Sequence, residues 1–229
     1  MRLLSNEEIY NLYQKHIIKD SAYFERFELL SSTLTDEERT YWKGRDACRF
    51  ISICDFKEWI VKHNIQHGEG LLCTCDEDPE IKYLDYRMTT VASYPAHDLH
   101  TLSLDKKNYN LVVFNQTLEH LYDPFVAITR LFEHLKPGGH LYTSVPTVCI
   151  PHLMPFHFWG ITPIGLCAIM TSCGFEICEC GFWGNFKYME YMFNKHWWPD
   201  HLEVAEDGKI TYNPVCQAQV WVLAKKPGR

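Results

Sequence analysis

The side chains that can do chemistry fall in a few short stretches. Acids crowd Asp76-Glu77-Asp78-Pro79-Glu80. Two amides stand together at Asn115-Gln116, and Glu119-His120 follows them closely. Histidines return at His152 and His157, in a segment rich in proline and aromatic residues. Imidazole exchanges a proton near neutral pH, which makes His120, His152 and His157 candidates for a base. The bland alternative is that His120 bonds within its own loop and that the aromatic neighbours of His152 and His157 mark a packed loop. The acid run reads two ways as well. It is a solvated helix start, which favours negative charge, or a cluster that accepts hydrogen bonds from ribose hydroxyls or binds a cation.

Cysteine is frequent, with ten in 229 residues. Cys73/Cys75 and Cys178/Cys180 are C-x-C pairs inside apolar, strand-like runs. Zinc sites usually show C-x-x-C-type spacing, so these read as small core residues before metal ligands. Met1 to Asp20 is charged and polar throughout, unlike a secretory leader, and reduced thiols in a cytosolic compartment are expected. The apolar stretch Ile161 to Met170 is too short for a membrane span. A net charge of -7, with lysines and arginines scattered, argues against a surface built for a phosphate backbone. The expectation is therefore no nucleic-acid partner and no membrane.

What must position these groups is the stretch from Tyr109 to Pro146. Leu111 to Phe114 has the unbroken apolar pattern of a strand buried on both faces. Asp123-Pro124 caps and starts a helix whose Phe125, Ile128, Leu131, Phe132 and Leu135 share a face. Lys136-Pro137-Gly138-Gly139 predicts a glycine turn, and Leu141 to Val145 the next strand. Ligands of such parallel sheets bind beyond the carboxyl ends of the strands, which puts function at Asn115 to His120 and from Pro146 onward. Upstream, helices are predicted over Asn6 to Leu30 and Asp46 to Asn64, with a cap-like start at Thr35. His67-Gly68-Glu69-Gly70 reads as a turn, Leu71 to Cys75 as a strand and Thr89 to Ser93 as β-prone. Downstream, Thr162-Pro163 starts a helix to about Ser172, and Phe175 to Cys180 and Gln217 to Ala224 are strands. This divides the chain into a helical segment, 1–67, that packs on the sheet or covers a pocket, and a sheet domain, 68–229.

From about Gly68 to Lys226 the order resembles the class I S-adenosylmethionine-dependent methyltransferases. The phrases that carry it are Tyr109-Asn110-Leu111-Val112-Val113-Phe114-Asn115, Thr117-Leu118-Glu119-His120-Leu121 with Asp123-Pro124, and Leu135-Lys136-Pro137-Gly138-Gly139. His157 to Pro163, through Gly174-Phe175, is similar to the second half of methyltransferases found with sugar and cell-surface glycan genes. The narrower resemblance is to methyltransferase domains of large algal viruses that modify capsid glycans, which would place the protein in a host cytoplasm. One departure stands out: Thr74 to Glu80 occupies the place of the family's glycine-rich first loop and holds no glycine. Glycine lets a backbone approach the cofactor closely.

The resemblance implies an α/β, Rossmann-like sheet, mostly parallel with an antiparallel C-terminal edge, and N-terminal helices. It implies S-adenosyl-L-methionine as cofactor, with Cys75, Asp76 and Asp78 at its ribose or methionine end. Asp98 and Leu99 would flank the adenine, and Asn115 and Gln116 would lie near the sulfonium and amino acid. In some related O-methyltransferases the matching Glu-His pair helps hold a divalent cation, a role that would fall to Glu119 and His120. Methyl transfer to a hydroxyl needs alignment and proton removal, which suits the three histidines. Phe156, Phe158, Trp159 and Trp183 would form a wall for a sugar ring, or cover the sheet. The implied activity is O-methylation of a sugar or glycan hydroxyl. Methylation of another small molecule and a degenerate, binding-only fold are the alternatives. A nicotinamide enzyme is weakest, since no G-x-G-x-x-G is present.

Overall fold

A computed structural model of the chain describes residues 1–73, 79–207 and 209–228. Six strands form one sheet: β1 (His67–Leu72), β2 (Asp85–Val91), β3 (Tyr109–Asn115), β4 (Leu135–Pro146), β5 (Glu176–Trp183) and β6 (Gln219–Lys225). Their order across the sheet is β2-β1-β3-β4-β6-β5. The first four in that order run parallel. β6 runs antiparallel to both neighbours, inserted between β4 and the edge strand β5. The antiparallel part thus lies on the C-terminal side of the sheet, as expected. The chain steps from β1 to β2 on one side, then crosses to β3 on the other. That reversal opens a crevice at the carboxyl ends of β1 and β3.

The helices are α1 (Asn6–Leu12), α2 (Ser21–Thr33), α3 (Asp36–Trp42), α4 (Ala47–Lys62), α5 (Pro124–His134), α6 (Pro163–Ser172) and α7 (Phe186–Lys195). On one face of the sheet, α4 buries Phe56 and Trp59 against Tyr142 of β4. Its Asp55 is fully buried and accepts from the Trp221 indole and the Tyr23 hydroxyl, each at 2.7 Å, and pairs with Arg26. On the other face lie Ile128 and Leu131 of α5 and Leu166 and Met170 of α6. Helix starts match the sequence signals: Asp123 accepts from Val126 N–H (3.0 Å), Thr162 from Gly165 N–H (3.2 Å), and Thr35 closes a capping box with Glu38. Among the described residues no helix is long and apolar enough to cross a membrane.

Several expected elements differ. The helix over Asn6 to Leu30 is two helices, α1 and α2, because a wider turn at Tyr13–Ile17 ends in extended backbone at Ile18. Tyr10 and Tyr13 are exposed, whereas Ile17 is buried. The turn expected at His67 to Gly70 is the first half of β1, and β2 begins at Asp85 instead of Thr89. Glycine at 68 and 70 misled because pairing with β2, and at Gly70 with β3 as well, outweighs its weak strand preference. The glycines at 138 and 139 form a bulge inside β4, where pairing jumps from Tyr109–Leu135 to Leu111–His140. A Cβ on Gly139 would lie 2.9 Å from two carbonyl oxygens, so the bulge needs glycine there. Trp183 is core, 1 % exposed, and covers the sheet; it is no part of a sugar wall.

Candidate active site

The strand β3 delivers its last residues straight into the crevice. Asn115 is buried, and neither its Oδ1 nor its Nδ2 meets a partner among the described residues. An unpaired buried amide costs free energy unless a ligand or water supplies the partner. Gln116 then takes a left-handed backbone (φ 46°), unusual for a side chain of this size. Its amide donates to the Ser144 hydroxyl (3.0 Å). The chain turns tightly over Leu118–His120, which drives Glu119 inward and leaves His120 at the surface of the crevice.

Three bonds lace this turn to the segment after β4. Phe158 N–H donates to the Glu119 carbonyl (2.8 Å), His120 Nδ1 to the Phe156 carbonyl (2.6 Å), and the Trp159 indole to the Leu121 carbonyl (2.8 Å). The lacing brings all three predicted histidines together. Ring centroids are 4.8 Å apart for His120–His152, 5.6 Å for His120–His157 and 4.8 Å for His152–His157. His152 also bonds a carbonyl through Nδ1, that of Ile150 at 3.1 Å. An imidazole donating through Nδ1 carries its lone pair on Nε2, so His120 and His152 each present a basic nitrogen. Burial, then the neighbouring imidazoles, pushes the His120 pKa below the usual histidine value, with the Phe156 carbonyl opposing. Burial does the same to His157.

Glu119 is fully buried, and neither carboxyl oxygen has a hydrogen-bond partner among the described residues. Burial raises its pKa to about 8. Its Oε1 lies 3.7 Å from His120 Nε2, so the expected Glu-His pair exists in space as well as in sequence. Sequence reasoning missed Arg49, which extends from α4 to the Ser144 hydroxyl (3.2 Å) and to buried Glu80 (3.1 Å). The available signal was one cation in an otherwise apolar turn, Ala47-Cys48-Arg49-Phe50. It also missed Cys149, whose Sγ is 3.6 Å from His157 Nε2.

A cavity of about 520 Å³ adjoins the histidines, walled by the segments after β2, β3 and β4. Asp98 and Leu99 line it, as do His120 and Phe156. Asp98 accepts from the backbone and ring of His100 (2.9 and 2.8 Å), and these bonds hold its carboxyl below the usual range. Phe158 lines the cavity too, whereas Trp159 is spent on the loop contact described above. Cys75, Asp76 and Asp78 lie outside the described residues.

The strand order, the crevice at its reversal and the placement of every described candidate on the carboxyl rim define a Rossmann-like methyltransferase fold. A family profile described as a methyltransferase domain matches residues 40–176, more than half of the chain, and the chain belongs to that family. It is similar to a probable S-adenosylmethionine-dependent methyltransferase of Mycolicibacterium smegmatis, 27 % identical over 158 residues. That match covers 61 % of this chain, and the chain spans 61 % of the length of the relative. Among solved structures it resembles a protein from Galdieria sulphuraria described as a candidate sarcosine dimethylglycine methyltransferase. The TM-score is 0.56 at 9 % identity, covering 78 % of this chain and 86 % of that one. A candidate methyltransferase from Bacillus halodurans C-125 superposes with a TM-score of 0.50 at 13 % identity, covering 75 % of this chain and 98 % of that one. Identities this low carry the fold alone.

Proposed function

We propose that the protein uses S-adenosylmethionine to methylate a hydroxyl group, and that the hydroxyl belongs to a sugar or glycan. The observation that carries this reading is the triangle His120, His152 and His157 beside the crevice, with Nε2 of His120 and of His152 free to act as bases. The donor supplies an electrophilic methyl on a positively charged sulfur. Asn115 and Gln116 would receive its amino-acid end, and Asp98 and Leu99 its adenine. Cys75, Asp76 and Asp78 would complete the cradle. His120 takes the acceptor's proton as the new carbon–oxygen bond forms, and the neighbouring imidazoles carry it towards solvent. The exposed rings of Phe156 and Phe158 give a sugar an apolar face to lie on.

A divalent cation fits the same place. Glu119 has two unpartnered oxygens beside His120 Nε2, and His152 and His157 add further donors within reach. Glu119 and His120 would hold the ion, and it would lower the pKa of the acceptor hydroxyl. The test is transfer of labelled methyl groups to a panel of deoxy-sugars and glycans, with and without chelator. Transfer to a hydroxyl of one class supports the proposal. Transfer only to amines moves the assignment to another small-molecule methyltransferase. No transfer to any acceptor favours a binding subunit, the reading to which the glycine-less stretch Thr74 to Glu80 also points.

A further inference from the structure

A second cluster of ligand-type side chains lies towards the other end of the sheet. His140 sits on β4 six residues before Pro146, roughly 20 Å along the strand from the carboxyl rim. His63 caps the carboxyl end of α4. Cys178 lies on the edge strand β5. One ligand-capable atom from each lies within 4.8 Å of the other two.

The backbone makes this meeting possible. Ile177 pairs with Ala224 and Glu179 with Leu223, so Cys178 is the extra residue of a bulge. Bulges re-aim side chains. Ile177, Cys180 and Phe182 pack on one face of the sheet, whereas Cys178 packs with the core on the α4 face. Glu179 turns to that face too, its carboxylate 2.7 Å from His63 Nε2 and 2.6 Å from Lys62. Two consecutive residues thus address the same histidine. His140 is itself buried, 7 % exposed, where an imidazole keeps its lone pair in preference to a proton.

We propose that His63, His140 and Cys178 form a binding site for a zinc-class transition-metal ion. Two imidazoles and a thiolate select a borderline-soft ion over magnesium or calcium, which take oxygen ligands. Glu179 stands where a carboxylate orients a metal-bound imidazole. Binding displaces the Cys178 thiol proton to solvent, so one proton is released per ion. Lys62, Lys136 and Lys225 surround the cluster with positive charge, which the thiolate and Glu179 offset. The ion would tie the end of α4 to β4 and to the sheet edge. The site is independent of the methyl-transfer reading.

Cobalt(II) added to the chelator-stripped full chain tests it. One equivalent should give a thiolate-to-cobalt absorption in the near ultraviolet. Cys178→Ser should abolish that band, and Cys149→Ser, beside the histidine triangle, should leave it. Glu179→Gln should weaken cobalt binding 10–100-fold. The native chain alone can refute the idea, whatever the variants do: no thiolate band at stoichiometric cobalt overturns it. A band that survives Cys178→Ser, or that disappears with Cys149→Ser, overturns it as well.

Discussion

Two side chains in the crevice make opposite electrostatic statements. Burial lowers the His120 pKa and raises that of Glu119 to about 8. A base with a lowered pKa stays unprotonated at more acidic pH, so the acid limb of the rate profile should lie below the ordinary histidine value of about 6.5. A midpoint at or above that value in a plot of kcat against pH would speak against His120. Replacing His120 by alanine should lower kcat by about 10²- to 10⁴-fold, and single replacements of His152 and His157 should cost less. An unchanged rate in all three variants removes the histidine-base mechanism. Glu119 makes a stability prediction. Its folded pKa is raised, so its contribution is full below about 4.5 and is lost as pH climbs to about 8. With chelator present, the melting temperature of Glu119→Gln relative to the native chain should therefore rise across that window and level off above it. A difference that stays flat with pH would mean the carboxyl is solvated. The histidines were legible in the sequence because their positions after two strand ends implied one rim. Their mutual contact was not, since it rests on the loop lacing through Phe156, Phe158 and Trp159.

At the level of elements, the helices that announced themselves did so through caps. Asp123-Pro124, Thr162-Pro163 and Thr35 with Glu38 all start helices where the sequence placed them. Asp123 also donates its backbone N–H to His100 Nε2 (3.3 Å), which joins the start of α5 to the cavity wall. Asp123→Ala should cost about 1 kcal/mol, read as a melting temperature lower by roughly 2–4 °C. The backbone bond to His100 survives this change, so no measurable fall would mean that the cap bond adds nothing to the helix start. The elements the sequence hid are those set by pairing. Glycines at 68 and 70 looked like a turn, and only the flanking strands, β2 beside both and β3 beside Gly70, make them a strand. Gly181 is a sharper case, because nothing local explains it. A Cβ there would fall 2.1 Å from Trp221 Nε1 and 2.4 Å from Asp55 Oδ2, inside the buried hydrogen bond between them. Gly181→Ala should destabilise by about 3–5 kcal/mol, since it breaks a buried charged contact. Denaturant midpoints check this, and a loss under about 1 kcal/mol would mean the core repacks around the methyl.

The molecule as a whole is acidic, and the donor proposed for it is a cation. The chain carries a net charge of -7, and acids occupy Asp76 to Glu80 where glycines would normally approach the ligand. Glu80 is already paired with Arg49, so an attraction for that cation would come from the rest of that run and from the overall field. S-adenosylmethionine carries a sulfonium charge that its demethylated product lacks. If acids have replaced glycines as the grip on the cofactor, the two ligands must differ in their response to salt. At a hundredfold excess over Kd each should stabilise by about 2.7 kcal/mol, roughly a 5–10 °C rise in melting temperature for a chain of this size. Raising ionic strength from 0.1 M to 1 M shortens the screening length from about 10 Å to about 3 Å. The gain from S-adenosylmethionine should then shrink, while the gain from its product should change little. Equal losses for both would mean the grip is made by uncharged contacts at Asn115, Gln116 and Leu99, with the acid run serving only as a solvated turn.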